Sequence, residues 1–511
     1  MITPLDILSL ETWILILTSF ILIRLYIHKR WQVLKDLNIP HDPPTILGVG
    51  NMSKFFKDSD AGYKRHLELK QKFGPIYGHY IGLSPHVYVG DPEILKQIMI
   101  KEFHIFPDRQ KNFQNANGKE FNDNLTAISG KQWKRVRDTL SPTFTSSKLK
   151  EMFGIVEDCA DSFVQNIGTI NSDSNGRFQP AVVFSKVAID SICSAAFGVN
   201  VDSQSKPQGQ EPEVVKMALE LFNYPVFKNP FFLIFLMFPW TENIAKVFDY
   251  SLLPKDCLRY FARLAKTVKK NKANVEQMQR VDILQTMINS EITDNEVKNG
   301  ATKGLTEIEV TANSLLMMFG GFETTASAMV FLAYNLAVYK DAQHKCREEI
   351  EQVIAKHGGL TYEAMNDLKY LMQCLNESLR LYPPAPMNSR YCERDITIHG
   401  LTIKKGITVQ IPVYGMGRDE EFWEDPLVFK PERMLDMNEI DPMIFQPFGA
   451  GPRNCIGMRF ALLEIKISFA KLLQKFHLDV CEDTPAAPID VSFKSGMRTK
   501  QDLFLKVTAR E

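Results

Sequence analysis

The chain carries no excess of either charge: 60 Lys and Arg balance 60 Asp and Glu over 511 residues. Without a basic footprint it does not read as a nucleic-acid binder. It is poor in cysteine, with eight in all, and has no C-x-x-C pair. Cys159, Cys193, Cys257, Cys346, Cys374, Cys392 and Cys481 are scattered. That spacing speaks against a zinc site or a disulfide framework and fits a reducing compartment. Internal repeats, low-complexity tracts and Pro/Gly/Ser-rich linkers are absent. The length alone would allow about three domains at ~150 residues each, yet nothing divides the chain. No flavin- or nicotinamide-binding fingerprint is present, so any electrons used must come from another protein.

Long hydrophobic runs are also missing, since none reaches the ~20 residues of a comfortable membrane span. The best candidate covers residues 13–23, broken only by Thr18 and Ser19. It extends to Ile27 if Arg24 snorkels, and Glu11 limits it on the other side. Spanning then needs snorkelling or bilayer thinning. His28, Lys29 and Arg30 follow it and no basic residue precedes it, which puts its C-terminal side in the cytosol. A cleaved signal peptide would need a positive n-region and a small-residue cleavage site, and neither is present. The expectation is a retained signal anchor over 1–30, a proline-containing hinge over 31–50, and one body over 51–511.

The stretch that carries chemistry is 448–457, FGAGPRNCIG. Cys455 stands where a loop enters an apolar-periodic run reaching about Phe476. Backbone N–H groups and the dipole of a helix start favour a thiolate there. Gly449 and Gly451 let backbone approach something flat or bulky, and Arg453 supplies a fixed cation suited to a carboxylate. A bare Cys beside a turn would be read as core. Phe448, Gly451, Arg453, Cys455 and Gly457 together offer what a haem needs: a sulfur ligand, room for the ring and a partner for its propionates.

Elsewhere, Thr306-x-x-Glu309 is a capping box. An apolar helix runs from it to about Tyr339, roughly 50 Å at ~1.5 Å per residue. Gly320-Gly321 interrupts it, and Glu323, Thr324 and Thr325 follow. Two glycines and an acid are unfavourable in such a helix, and Thr324 can bond back to the carbonyl at 320 and bend it. A tolerated defect at a helix crossing competes with an opened groove. Glu377 and Arg380, three apart, can pair on one helix face. Residues 77–81 and 87–89 alternate around Gly82 and Pro85 as a hairpin. Ile396–Ile398 and Thr408–Ile411 alternate around Gly400 and Gly406 as a second set of strands. Trp133, Arg135, Val136 and Arg137 fall on a helix that ends before Pro142. Stretches near 171–177, 202–212 and 289–304 read as surface loops. FFLIFLMF, at 231–238, is too short to span; it is buried core or a membrane-dipping surface.

The spacing F-x-x-G-x-R-x-C-x-G resembles the haem signature of the cytochromes P-450, the haem-thiolate monooxygenases. G-G-F-E-T-T resembles their oxygen-binding motif. Glu377, Arg380 and Arg433 of Pro431-Glu432-Arg433 resemble their buried Glu–Arg–Arg network, with Met434 where Phe is usual. The hinge lacks the usual P-P-G-P. SPTFTSSKLKEM and PFGAGPRNCIGMRFAL are similar to the animal microsomal branch that includes drug- and steroid-oxidising enzymes. The resemblance covers essentially the whole chain.

It implies a mainly α fold with small β-sheets, and haem between the long helix and the Cys loop. Cys455 is the implied axial ligand, with the Gly457 N–H tuning its potential. Trp133, Arg137 and Arg390 match propionate-binding positions, Thr324 would steady oxygen, and Glu323 would help relay protons. Leu125, Ile128, Phe319, Ala385, Pro386, Met387 and Met497 are implied pocket positions for a lipophilic substrate. The implied partners are O2, membrane lipid and a membrane-bound NADPH reductase docking on Lys131, Lys134 and Arg135, at the endoplasmic reticulum. A region like 231–238 touches the bilayer in this family. A peroxide isomerase similar to thromboxane synthase and a non-enzymatic haem carrier are the alternatives. The first does not keep the hydroxyl of Thr324, and the second does not need the Glu323–Thr324 pair.

Overall fold

The N-terminal apolar run forms α1 (Leu10–Arg30), longer than its hydropathy alone suggested. Ser9 caps it, its Oγ accepting from the Thr12 N–H at 3.3 Å. Its large apolar side chains from Leu10 to Tyr26 are mostly exposed, and Ile27 is the first buried residue. This computed structural model describes residues 9–45, 49–52, 61–109, 116–206, 210–226, 229–273, 282–493 and 496–510. Much of the expected hinge is docked on the body, because Trp31, Leu34, Leu37 and Ile39 are apolar and bury. The Leu34 N–H donates to Tyr80 Oη at 3.0 Å, and Trp31 Nε1 donates to the Gly82 carbonyl at 3.2 Å. Residues 46–48 of that hinge lie outside the described residues.

The expected hairpin is β1 (Ile76–Ile81) and β2 (Ser84–Val89), in register Ile76↔Val89 through Ile81↔Ser84. Then come α2 (Gly130–Leu140), α3 (Ser146–Asp173), α4 (Pro180–Ile192), α5 (Glu213–Asn223), α6 (Pro230–Met237) and α7 (Lys255–Ala273). The last turn of α3 takes up part of the loop expected near 171–177. The loop expected over 289–304 contains a short helix, Asp294–Lys298, because Thr293 and Glu296 form a capping box of their own. Residues 207–209 of the third loop lie outside the described residues.

The long helix is α8 (Glu307–Val338), 32 residues, with both capping-box bonds present. It is buried over most of its length and packs along α4. After it come α9 (Lys340–His357), α10 (Lys369–Leu381), β3 (Asn388–Tyr391), β4 (Ile396–Ile398), β5 (Leu401–Ile403) and β6 (Thr408–Ile411). Both expected strands are present, in different sheets. β4 pairs with β5, whereas β6 joins the hairpin sheet, parallel to β2 and antiparallel to β3, in the order β1-β2-β6-β3. All four residues of β6 are buried, as befits a strand covered on both faces. The chain closes with α11 (Met458–Lys475) and a hairpin of β7 (Val491–Phe493) and β8 (Met497–Thr499), followed by further short strand pairing.

The base of the helical body is held by buried charge. Glu377 accepts from Arg380 Nε and Nη2, each at 2.8 Å, from Arg433 Nε at 3.0 Å and from the Lys430 N–H at 3.0 Å. Arg380 also donates to the carbonyls of Gly417 and Pro426. Removing one partner of such a set leaves charge stranded in low dielectric. Glu377→Ala is therefore expected to cost about 3–5 kcal/mol. Lys345→Ala breaks an exposed pair with Glu432, which water and salt screen, and should cost far less. Urea denaturation of the two haem-loaded variants checks the contrast.

Candidate active site

The loop over 448–457 is shaped by backbone contact. The Cys455 N–H donates to the Phe448 carbonyl at 2.9 Å, and Phe448 packs on the main core. Gly451 has φ +71°, and a Cβ there would lie 2.1 Å from the Met99 carbonyl oxygen. Only glycine satisfies both conditions. Gly457 is the N-cap of α11, which places Cys455 just ahead of a helix start. Burial pushes the Cys455 thiol up, and the Gly457 N–H, Arg109, Arg137 and the Met458 N–H oppose that rise. Deep as it lies, Cys455 keeps an accessible surface, whereas Cys159, Cys193, Cys257, Cys346, Cys374 and Cys392 are buried.

Arginines converge on this loop. Arg453 was expected to face a carboxylate of the ligand, yet most of its donors are spent on protein. Nε donates to the Pro107 carbonyl at 2.8 Å, Nη1 to Leu125 at 3.3 Å, and Nη2 to Asp108 Oδ1 at 2.6 Å and to the Ile128 carbonyl at 3.1 Å. Its guanidinium lies 4.2 Å over the Trp133 ring. Arg453 thus pins the Cys loop to Pro107, Asp108, Leu125 and Ile128 and to α2. Arg137 donates to the Asn454 carbonyl at 3.0 Å and to Asn454 Oδ1 at 2.8 Å. Arg390, on β3, donates to the Ala450 carbonyl at 3.1 Å.

Arg109 is a residue that the sequence reading missed. It donates to the Arg453 carbonyl at 3.2 Å, and no motif announces it. Burial holds Arg390 down to about 9, helped by Arg109 and Arg453. It holds Arg453 down to about 10, opposed by Asp108. The Nε atoms of Arg109 and Arg390 are buried without a hydrogen-bond partner. Buried cations this close require anions. Two propionates and a thiolate supply them, so the residues present fit a haem.

The other candidate residues stand in the middle of α8. Gly320 and Thr324 are exposed although the flanking residues 317–319, 322–323 and 325–337 are buried. Thr324 Oγ1 donates to the Gly320 carbonyl at 2.6 Å. The two glycines divide the competing explanations. A Cβ at Gly321 would lie 2.7 Å from Ile192 Cδ1 of α4, a helix crossing, and one at Gly320 would meet nothing within 4 Å. Glu323 points elsewhere, accepting from Arg498 Nε of β8 at 2.7 Å. Leu125 joins the walls, because its N–H donates to Asn313 Oδ1 of α8 at 2.9 Å while its carbonyl receives Arg453.

The pocket candidates are spread along this seam. Leu125 and Ile128 are buried, and their carbonyls hold Arg453. Phe319 meets Phe121, Phe222 and Phe261 edge to face at 5.3, 5.8 and 5.5 Å. Ala385 is exposed, the Pro386 carbonyl accepts from the Tyr414 N–H, and Met387 Sδ accepts from Tyr88 Oη at 3.6 Å. Met497 is fully buried, and its carbonyl accepts from Ser327 Oγ at 2.6 Å.

The expected docking patch is corrected in one member. Lys131 and Lys134 are exposed. Arg135 is buried, donating from Nη2 to Glu309 Oε1 at 2.6 Å and from Nη1 to Oε2 at 2.9 Å, because its side of α2 faces the α8 N-terminus.

The cytochrome P450 family profile matches residues 40–507. The chain belongs to the cytochrome P450 family. It is 36% identical over 507 residues to cytochrome P450 3A25 of Mus musculus, covering 99% of this chain and 98% of the relative. It is 35% identical to cytochrome P450 3A18 of Rattus norvegicus, covering 99% of each, and 34% identical to cytochrome P450 3A5 of Homo sapiens, covering 99% and 98%. This P450 is therefore an oxidoreductase, a monooxygenase of lipophilic substrates that uses O2, a redox partner and a haem with a cysteine thiolate as axial ligand. Its mainly helical architecture with small sheets is the P450 fold.

If Cys455 supplies the sulfur of this P450, Cys455→Ala keeps the far-UV spectrum but loses the thiolate-type reduced carbon-monoxide band. Arg109→Gln is expected to keep that band and release haem several-fold faster to an acceptor globin. A normal thiolate band in Cys455→Ala would place the ligand on another cysteine.

Proposed function

We propose that Cys455 is the axial ligand, and that this P450 inserts one oxygen atom of O2 into a lipophilic small molecule with electrons from a membrane-bound NADPH reductase. Xenobiotics, steroids and fatty acids are the candidate classes. The observation that carries the reading is an accessible cysteine at a helix start, ringed by buried arginines and tied through Leu125 to the helix that carries the open Gly320–Thr324 face. When bound, the haem supplies oxygen activation, and electron donation from the thiolate favours O–O cleavage.

The protein's share of the work follows from the geometry. The Gly457 and Met458 N–H groups, with Arg109 and Arg137, favour the thiolate over the thiol and tune its potential. Arg109, Arg137, Arg390 and Trp133 would hold the propionates, while Arg453 would keep Phe448, Cys455 and Gly457 in place. The Thr324 hydroxyl already has a carbonyl to donate to, so turning toward the open face would exchange one hydrogen bond for another and would let it order a water and donate a proton there. Phe121, Phe222, Phe261 and Phe319 keep the roof dry and suit apolar substrates. Leu125, Ile128, Ala385, Pro386, Met387 and Met497 are proposed as the remaining walls.

Membrane attachment rests on two surfaces. One is α1, whose apolar side chains from Leu10 to Tyr26 are mostly exposed. The other is an exposed apolar patch of Phe231, Ile234, Trp240, Ile244, Val247 and Phe248. Phe232 and Phe235 of the same segment are buried, so α6 serves as core on one side and as membrane-facing surface on the other. The body then faces the cytosol at the endoplasmic reticulum membrane, from about residue 31 onward, with Lys131 and Lys134 open to the reductase.

Two measurements test this. Thr324→Ala should keep haem and substrate spectra while yielding more peroxide and less product per NADPH; assistance of this kind is worth at most ~10²–10⁴-fold, and water shrinks the loss. An unchanged product-to-NADPH ratio removes Thr324 from the mechanism. Deleting residues up to Arg30 should leave partial vesicle binding, which Trp240→Ser with Phe248→Ser abolishes. A deletion form that floats free of vesicles at low salt would assign the patch another role.

A further inference from the structure

A line of side-chain contacts leads from the Cys loop into the hairpin sheet, and most of it has no part in the site described above. Asn388 of β3 packs on the Cys loop, since a Cβ at Gly449 would lie 3.0 Å from Asn388 Nδ2. Its neighbour Met387 meets the sheet, where Sδ accepts from Tyr88 Oη at 3.6 Å. Tyr88 of β2 stands directly across from Tyr77 of β1 in the hairpin register. Their rings stack, with centroids 5.0 Å apart and planes 9° from parallel. The Tyr77 hydroxyl in turn lies 3.0 Å from His66 Nδ1, at the start of the short helix His66–Phe73. Tyr77, Tyr88 and His66 are all buried.

The two tyrosines differ in what their hydroxyls meet. Tyr88 faces a thioether, a weak acceptor that cannot hold a proton. Tyr77 faces an imidazole, which can. Burial holds His66 down to about 4, opposed by Asp419 and helped by Lys70, so the ring is neutral at physiological pH. With the ring proton on Nε2, Nδ1 is the acceptor of the Tyr77 hydroxyl. Burial also pushes both phenols well above their ordinary range, and Tyr88 adds to the rise at Tyr77. A bare phenolate is therefore excluded at either position. A phenol so placed can lose an electron only if its proton leaves at the same time, to a base within hydrogen-bond reach. Tyr77 has that base and Tyr88 does not.

We propose that Tyr77 is a one-electron donor to the haem site, connected to it through Tyr88 and Met387, with His66 as the acceptor of its phenolic proton. One electron passes from Tyr77 across the stacked Tyr88 ring toward the Cys loop. The Tyr77 O–H bond breaks and an N–H bond forms at His66 Nδ1. The products are a neutral tyrosyl radical, an imidazolium and a haem reduced by one equivalent. Tyr88 passes the electron on but is not where the radical rests, because its proton has nowhere to go. The oxidant is a haem that a peroxide or peracid has oxidised with no substrate bound. A thiol or ascorbate then returns one electron and one hydrogen to Tyr77, and His66 releases its proton. The relay thereby spares the haem from its own oxidised state. It rests on the haem-thiolate reading for its oxidant, whereas the radical is read by spectroscopy without turnover.

The experiment mixes the full-length, haem-loaded protein with a peracid in the absence of substrate, freezes it within milliseconds and records the electron paramagnetic resonance spectrum. The unmutated protein should show a tyrosyl radical whose hyperfine lines narrow when its tyrosines are ring-deuterated. Tyr77→Phe removes one hydroxyl and keeps the ring stack; it should lose that signal and bleach its haem several-fold faster. Tyr88→Phe should delay the signal several-fold. His66→Gln keeps a hydrogen-bond acceptor that cannot hold a proton, and should lower the radical yield several-fold. Slower appearance of the radical in D2O decides the proton arm if His66→Gln fails to fold. Tyr80→Phe, on the same strand but bonded to the Trp31 carbonyl at 2.9 Å, should leave the signal unchanged. The same radical in Tyr77→Phe, no radical in the unmutated protein, equal haem bleaching, or equal rates in H2O and D2O overturns the relay. A normal thiolate band without a tyrosyl radical overturns the relay alone. If the unmutated protein oxidises no substrate, the monooxygenase reading fails while the Tyr77 radical still judges the relay.

Discussion

Everything near the site answers to one constraint: several guanidiniums are buried around a single sulfur. Arg109, Arg137, Arg390 and Arg453 each contact the loop that carries Cys455, directly or through one another. Cations placed so close in an apolar interior repel and are costly to desolvate. The low values imposed on Arg390 and Arg453 are the signature of that cost. Asp108 relieves Arg453 through a 2.6 Å bond. The charge that remains calls for an anionic partner, which the propionates of the proposed haem site would supply.

The same economy of placement governs α8. An apolar helix of this length would ordinarily seal the interior. Gly321 lets Ile192 of α4 close against it, which keeps the crossing tight, and Gly320 leaves the opposite side open. Thr324 then sits four residues beyond Gly320 and satisfies itself on the carbonyl there. Two adjacent glycines that look like one motif have separate physical duties, one in packing and one in access.

What could be read in advance divides along a physical line. Features built from contiguous residues were legible: the Cys loop, the Thr306–Glu309 capping box, the α8 helix, the β1–β2 hairpin and the pairing of Glu377 with Arg380. Each depends on local geometry, such as cap bonds, turn glycines or i,i+3 spacing. Features that depend on partners far along the chain were not. β6 was legible as a strand, but it lies parallel to β2, more than 300 residues away along the chain, so no turn betrayed its neighbour. Arg109 sits in an unremarkable loop and matters because Arg453 and Cys455 come to it. The ion pair of Glu323 with Arg498 joins segments with no shared pattern. The segment at 231–238 was ambiguous for a sound reason, since Phe232 and Phe235 go inward while Phe231 and Ile234 stay out.

The reassignment of Arg135 shows how strongly such long-range partners can redirect a residue. On α2 the basic residues look like one solvated stripe, yet only Lys131 and Lys134 remain outside. Glu309 is already committed, as the third residue of α8, to the Thr306 N–H at 2.9 Å. The same carboxylate also accepts from Arg135 and from Gln132 Nε2 at 2.9 Å. Burial pushes Glu309 up, but Arg135, the Thr306 N–H and Gln132 outweigh it, so its carboxyl is held below the usual range. One cap therefore fastens α2 to the start of α8. From α2, Trp133 lies beneath Arg453 and Arg137 grips Asn454 beside Cys455. A hydrogen bond that begins as helix capping ends by tying the start of the long helix to the loop that carries the cysteine.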